Sequence, residues 1–311
     1  VNYSNKIFSI GLNSIVIVLS IWLLGCAQFH NDAFNIPPQD WNTRSSQQNV
    51  VRVIGFDKVE DIDSYRFPTY PDRIVFDSEI KASGRGSLKV IIPGKSHADT
   101  SGSWRINFSN NPYTIQFGEN QEFYIQWRQR FDSFLLKHSF LGAGGFKQVI
   151  IGEGDQPNEN EVGSCTDLEI VVNNGHFSGF PQLYHSCGLY WPYEAHRFVD
   201  YVPNEWMTFQ VHIKLGPSGT SFDSATGKEM HGYTNSTVEM WVAREGQKSK
   251  LTHREQNLVL RTGYEGSADA RYGKIWLLPY MTGKDATENH PTTFTWYDEL
   301  IISTARIADP E

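Results

Sequence analysis

From residue 50 onward the apolar positions of the chain fall into short runs that alternate with polar positions and are cut by turn residues. The runs are Val50 to Phe56, Arg73 to Phe76, Ser87 to Ile92, Ser103 to Phe108, Glu122 to Phe131, Phe146 to Ile151, Asp167 to Asn173, Pro181 to His185, Trp206 to Leu215, Thr237 to Ala243, Leu258 to Arg261, Tyr272 to Tyr280 and Thr293 to Ser303. Gly84-Arg-Gly86, Pro93-Gly94 and Asn110-Asn-Pro112 punctuate them as turns. In an extended run alternate side chains share a face. Lys274, Trp276, Leu278 and Tyr280 therefore project together, opposite Ile275, Leu277 and Pro279. Tyr124, Gln126, Arg128 and Arg130 likewise oppose Phe123, Ile125, Trp127 and Phe131, which predicts a polar outer face and an apolar core face. The last run is aromatic and β-branched, as expected of a buried closing strand. So many strands, with no convincing helix, predict an all-β, two-sheet antiparallel sandwich over residues 50–311.

The preceding residues break this pattern. Residues 1–26 carry Lys6, the apolar run Ile15 to Leu24 and then Leu23-Leu-Gly-Cys26, the layout of an export signal. That ending resembles the lipobox of bacterial lipoproteins, which implies acylation of Cys26 and a lipid anchor. Ala27 after the cysteine implies, by the same resemblance, an outer-membrane location. Residues 27–49 are polar and apolar-poor, so they are expected to be a flexible tether. With Cys26 assigned to lipid, Cys165 and Cys187 are expected to pair, as cysteines of exported proteins usually do. The net charge of -8 is spread without a basic tract, so nucleic acid is not an expected partner. A monomer is expected.

The run Gly84-Arg-Gly-Ser-Leu-Lys-Val90, the Ser101-Gly-Ser-Trp104 that follows and the closing Trp296-Tyr-Asp-Glu-Leu-Ile-Ile-Ser303 resemble the concanavalin A-like jelly roll. Bacterial enzymes of that kind include lyases of alginate, glucuronan and heparin, and laminarinase-like hydrolases. A hydrolase needs two carboxylates flanking the scissile bond. The nearest candidate, Glu153-Gly-Asp155-Gln-Pro-Asn-Glu159, is one residue too long, and Pro157 interrupts it.

A polysaccharide lyase instead neutralises the uronate carboxylate, removes the proton at C5 and protonates the leaving oxygen. None of these steps needs a cofactor. In alginate-lyase-like jelly rolls the groups come from an Arg strand, a Gln-x-His strand and a Tyr-x-Lys strand with a second Tyr. Glu122 to Phe131 resembles the first, which implies Arg128 at the carboxylate and Arg130 in substrate binding. Lys147-Gln148-Val-Ile150 is similar to the second, with Gln148 at the carboxylate but Ile150 where the histidine belongs. Tyr272-Gly-Lys274 through Tyr280 is similar to the third and implies Tyr280 as the acid. A replacement base is sought in Gln182-Leu-Tyr184-His185-Ser-Cys187, because histidine titrates near about 6.5. Lys147, Tyr184, Lys274, Trp276 and Trp241 complete the expected substrate contacts. Asp298 and Asp57 are placed to hold a structural Ca²⁺, as carboxylates do in related sandwiches. The expected function is cleavage of an acidic polysaccharide by β-elimination. A non-catalytic carbohydrate-binding protein and a laminarinase-like hydrolase are the alternatives.

Overall fold

A computed structural model describes residues 36–63, 70–98, 101–109, 115–138, 140, 146–154, 168–175, 180–185, 189–190, 199–222, 229–261, 270–281 and 284–311. The strands are β1 (Val50–Ile54), β2 (Ile74–Asp77), β3 (Ser87–Ile92), β4 (Trp104–Asn107), β5 (Glu122–Phe131), β6 (Phe146–Glu153), β7 (Glu169–Gly175), β8 (Phe180–His185) and β9 (Leu189–Tyr190). They continue as β10 (Trp206–Lys214), β11 (Ser218–Phe222), β12 (Glu229–Ala243), β13 (Lys250–Arg261), β14 (Tyr272–Met281) and β15 (Thr293–Ser303). Three helices of five residues each, α1 (Trp41–Ser45), α2 (Val59–Asp63) and α3 (Ser133–Lys137), lie between strands or ahead of them. Among the described residues no helix is long and apolar enough to cross a membrane.

The strands form two antiparallel sheets, the jelly-roll sandwich expected from the pattern. The nine-stranded sheet runs β11-β12-β10-β5-β15-β3-β2, with β1 also on β15 and β13 on β12. The six-stranded sheet runs β4-β14-β6-β7-β8-β9. Alternation decides which side chains meet between them. Phe123, Ile125 and Trp127 of β5 and Phe209 and Val211 of β10 share one core with Val149 and Ile151 of β6, Ile170 and Val172 of β7, and Ile275 and Leu277 of β14. Phe117 and Phe123 stack there at 4.6 Å, and Trp127 stacks on Phe209 at 5.4 Å. Burying such rings is the main apolar gain of the fold.

The expected tether is corrected from residue 36 onward. Asp40 caps α1 by accepting the Thr43 N–H at 2.9 Å. The helix lies on the outer face of the nine-stranded sheet, because Arg44 is fully buried there, bonded to Gln126 Oε1 at 2.7 Å and to Glu299. The end of the chain covers the same face. Gln126 donates to the Ala308 carbonyl, and Gln210 exchanges two bonds with the Ile307 backbone. Composition suggested a linker because the attachment is made by a buried ion pair and by backbone hydrogen bonds rather than by an apolar run.

Bulges set two further orientations. In β15, Asp298 opposes Arg128 and Ile301 opposes Gln126, so one extra residue is accommodated, with Glu299 at φ 51°. Tyr297, Leu300 and Ile302 stay in the core, and the two carboxylates between them turn outward. In the other sheet β14 gains a residue between Leu277 and Tyr280, opposite Val149 and Lys147. Next to it β6 gains one between Lys147 and Val149, opposite Asn173 and Val172. Pro279, which cannot donate to a ladder, falls within the β14 irregularity.

Candidate active site

Rows of paired residues share a face, so the register defines the outer face of the six-stranded sheet. One row reads Tyr280, Lys147, Asn173 across β14, β6 and β7. The next polar-to-apolar row reads Arg105, Trp276, Ile150, Val171. A third reads Asn107, Lys274, Gly152, Glu169. Ile150, Val171 and Leu278 form a small apolar cluster with Trp276 and Tyr280 packed on it, separate from the main core.

Tyr280 is half-buried on this face and is not between the sheets. The Lys147 ammonium lies over its ring at 5.3 Å, so a phenol and a cation share one spot. Asn173 follows Lys147 one strand further on, about 10 Å from Tyr280 at the usual strand spacing. A uronate bridging the three would meet a proton donor, a positive charge and an amide. Lys274 and Glu169 sit on the same face and, like Asn173, are buried. Ile150, where the resemblance expects a histidine, occupies an outer-face position in this apolar cluster.

Several expected residues are not brought together with Tyr280. Gln148 is fully buried on the core side, where its Oε1 accepts the Tyr201 hydroxyl at 2.6 Å and its backbone carbonyl accepts the Tyr297 hydroxyl at 2.8 Å. The β6 bulge turns Gln148 and Val149 inward together, which simple alternation does not anticipate. Burial holds both phenols well above their ordinary value, so they are neutral donors. Arg128 and Arg130 belong to the nine-stranded sheet, the opposite layer of the sandwich. Arg128 there lies 3.3 Å from Glu245 and 4.0 Å from Glu299, and it cannot hold a carboxylate beside Tyr280. Trp241 is on that sheet too, buried beneath the Arg306 guanidinium at 4.6 Å. Tyr184 is in register with Val171, an outer-face residue, and His185 with Ile170, a core residue; both side chains lie outside the described residues. Cys26, Cys165 and Cys187 also lie outside them.

Asp298 and Asp57 both serve the loop after β2. Asp298 Oδ2 accepts the Ala82 N–H at 2.8 Å, and Asp57 Oδ1 accepts the Arg85 N–H at 2.5 Å. A side chain at Gly84, whose φ is +58°, would run into the Asp57 carboxylate, so this approach requires glycine. Burial pushes the Asp298 carboxyl up to about 8, against the lowering effect of the Ala82, Glu299 and Ser83 N–H groups. The two acids are therefore acceptors for backbone amides of this loop. Among the described residues no group of three or more His, Cys, Asp or Glu is arranged to hold a metal.

A second polar cluster decorates the outer face of the nine-stranded sheet. His212 stacks on Tyr124 at 4.2 Å, with Nδ1 2.8 Å from Glu239 and Nε2 2.9 Å from Glu122. Burial and the two carboxylates push the Tyr124 phenol up to about 12. Every group in this cluster is already engaged with another, which suits strand fastening better than chemistry. Sequence reading named Lys147 only as a substrate contact and missed Asn173. No local signal marks either, because their meeting with Tyr280 depends on strand order and on two bulges.

No family model matches the chain, and no curated protein matches it by sequence. Its fold is similar to that of a solved polysaccharide lyase. The PL-14 alginate lyase from Aplysia kurodai superposes with a TM-score of 0.54 at 13% identity, covering 82% of this chain and 99% of that one. Alginate lyase Aly36B gives 0.48 at 14% identity over 86% and 96% of the two chains. The endo-β-1,4-glucuronan lyase of the fungus Trichoderma reesei gives 0.44 at 14% identity over 75% and 87%. What these comparisons establish is the all-β sandwich shared with the Aplysia enzyme.

Proposed function

We propose that the protein cleaves a uronate-containing polysaccharide by β-elimination, on the outer face of the six-stranded sheet. The observation that carries this reading is the Tyr280–Lys147 pair, with Asn173 next in the same row. Lys147 and Asn173 engage the uronate carboxylate and favour the charge that builds up when C5 loses its proton. Tyr280, as phenolate, takes that proton and returns it to the leaving oxygen, so one residue serves as base and acid. His185 was the expected base. Its side chain lies outside the described residues, and this proposal gives both roles to Tyr280. An anchor through Cys26 belongs to the same proposal, and labelling with a radioactive fatty acid, lost in Cys26→Ser, tests it.

The deciding experiment follows the ultraviolet absorbance of unsaturated uronate released from alginate, glucuronan, ulvan and heparin-like polymers. Wild type should produce it on at least one of them. Tyr280→Phe should lower turnover about 100-fold or more, the usual scale for lost proton transfer, with an unchanged melting temperature. Full activity in Tyr280→Phe would remove the site assignment. Binding to the polymers without any absorbance change would favour a carbohydrate-binding protein.

A further inference from the structure

We propose that His290 is an acid-sensitive latch on the connection between β14 and β15, opening the segment that follows Tyr280 as the pH falls. The ring is 7% exposed. Phe134 stacks on it at 5.7 Å, Phe140 meets it edge-on at 5.3 Å, and the His138 ring lies 5.4 Å away. His290 Nδ1 sits 2.6 Å from the Pro291 carbonyl, which can only accept, so Nδ1 carries the proton. The other nitrogen, Nε2, is buried and has no hydrogen-bond partner among the described residues.

The neutral ring therefore fits this cage, and a second proton would have to enter on Nε2, away from water. The charged groups around it do little to offset that cost. Glu288 is already bonded to His138 Nε2 at 2.8 Å, while Lys284 and His138 add positive charge. Further out, Arg73 acts on Lys284, and His97 acts on Asp285. Burial in this setting holds the His290 imidazole below its ordinary value. A group lowered in the folded state contributes stability above its unfolded value of 6.5, and loses it as pH falls through the folded value.

The ring fastens a well-defined stretch of backbone. The Glu288 carbonyl accepts the Lys95 N–H at 3.0 Å, and Lys284 donates to the Ser96 hydroxyl at 2.6 Å. A side chain at Gly94 would strike the His290 carbonyl at 2.1 Å, so the two strands of chain touch. On the other side, the Met281 N–H, next to Tyr280, is bonded to the Ala98 carbonyl at 3.2 Å. Protonating His290 should loosen residues 284–292 from residues 94–98 and release the end of β14. The latch stands without the lyase reading, and only its effect on turnover rests on the Tyr280 assignment.

Amide hydrogen exchange of the whole protein, read by mass spectrometry and corrected for the intrinsic pH effect, tests it. Protection of residues 284–292 should fall between pH 7.5 and 5.5, by up to about tenfold, the limit set one pH unit below the opened-state value of about 6.5. His290→Phe, which extends the aromatic cage, should show no such fall, whereas His138→Gln should retain it. Equal protection of the wild type at both pH values, or the same fall in His290→Phe, would overturn the latch. Should His290→Phe not fold, ring ¹⁵N spectra of the wild type decide: a proton on Nδ1 at pH 7.5 is required, and one on Nε2 refutes the proposal.

Discussion

Gln148 and Lys147 are neighbours in sequence, yet they end on opposite sides of one sheet, and their variants should behave differently. Removing Gln148 leaves the Tyr201 hydroxyl buried without its acceptor. Gln148→Ala should therefore cost about 1–3 kcal/mol in urea unfolding, while the folded fraction keeps its KM for polymer. Lys147→Met should do the reverse. Stability is nearly kept, polyuronate binding weakens, and its dependence on salt becomes shallower because an attractive charge is gone. Measuring KM at two ionic strengths separates the variants. The sequence reading put Trp276, Leu278 and Tyr280 on one face of β14, and the structure agrees, because they meet in one small cluster apart from the main core that holds Ile275 and Leu277. It misplaced Gln148 because a bulge obeys no period.

At the scale of elements, alternation located most of the strands, but strand order was not legible. Glu122 to Phe131 shows the polar-and-apolar pattern expected of a site strand, and its core face is as read. Its polar face belongs to the other layer, where α1 and the chain end cover it. Nothing local distinguishes a polar face that meets substrate from one that meets a returning terminus. The docking of α1 is itself testable. Arg44 and Glu299 are both nearly inaccessible to water, so breaking the pair leaves a buried carboxylate facing Arg128 at 4.0 Å. Arg44→Met should cost about 3–5 kcal/mol, seen as a lower urea midpoint, and Glu299→Gln in the same chain should restore part of it.

For the whole molecule, two buried titratable groups act with opposite sign. His290 withdraws stability as pH falls, as described above. Asp298, raised to about 8 in the fold from 3.8, does the opposite. Its contribution is complete below the unfolded value and is lost as pH rises through the folded one. The melting temperature of the wild type should therefore drift down between pH 6 and 8.5, and Asp298→Asn should lose that drift even if it starts lower. An unchanged slope in Asp298→Asn would assign the drift to another group. The position of β15 has a kinetic meaning as well. This strand, residues 293–303, lies between β3 and β5, which were made some 165 residues or more earlier, and it also carries β1. Pairings of such long separation close slowly. Until β15 inserts, the facing ladders of β3 and β5 stay open to other chains, so the nascent protein remains unfinished, and adhesive, until its last strand is released.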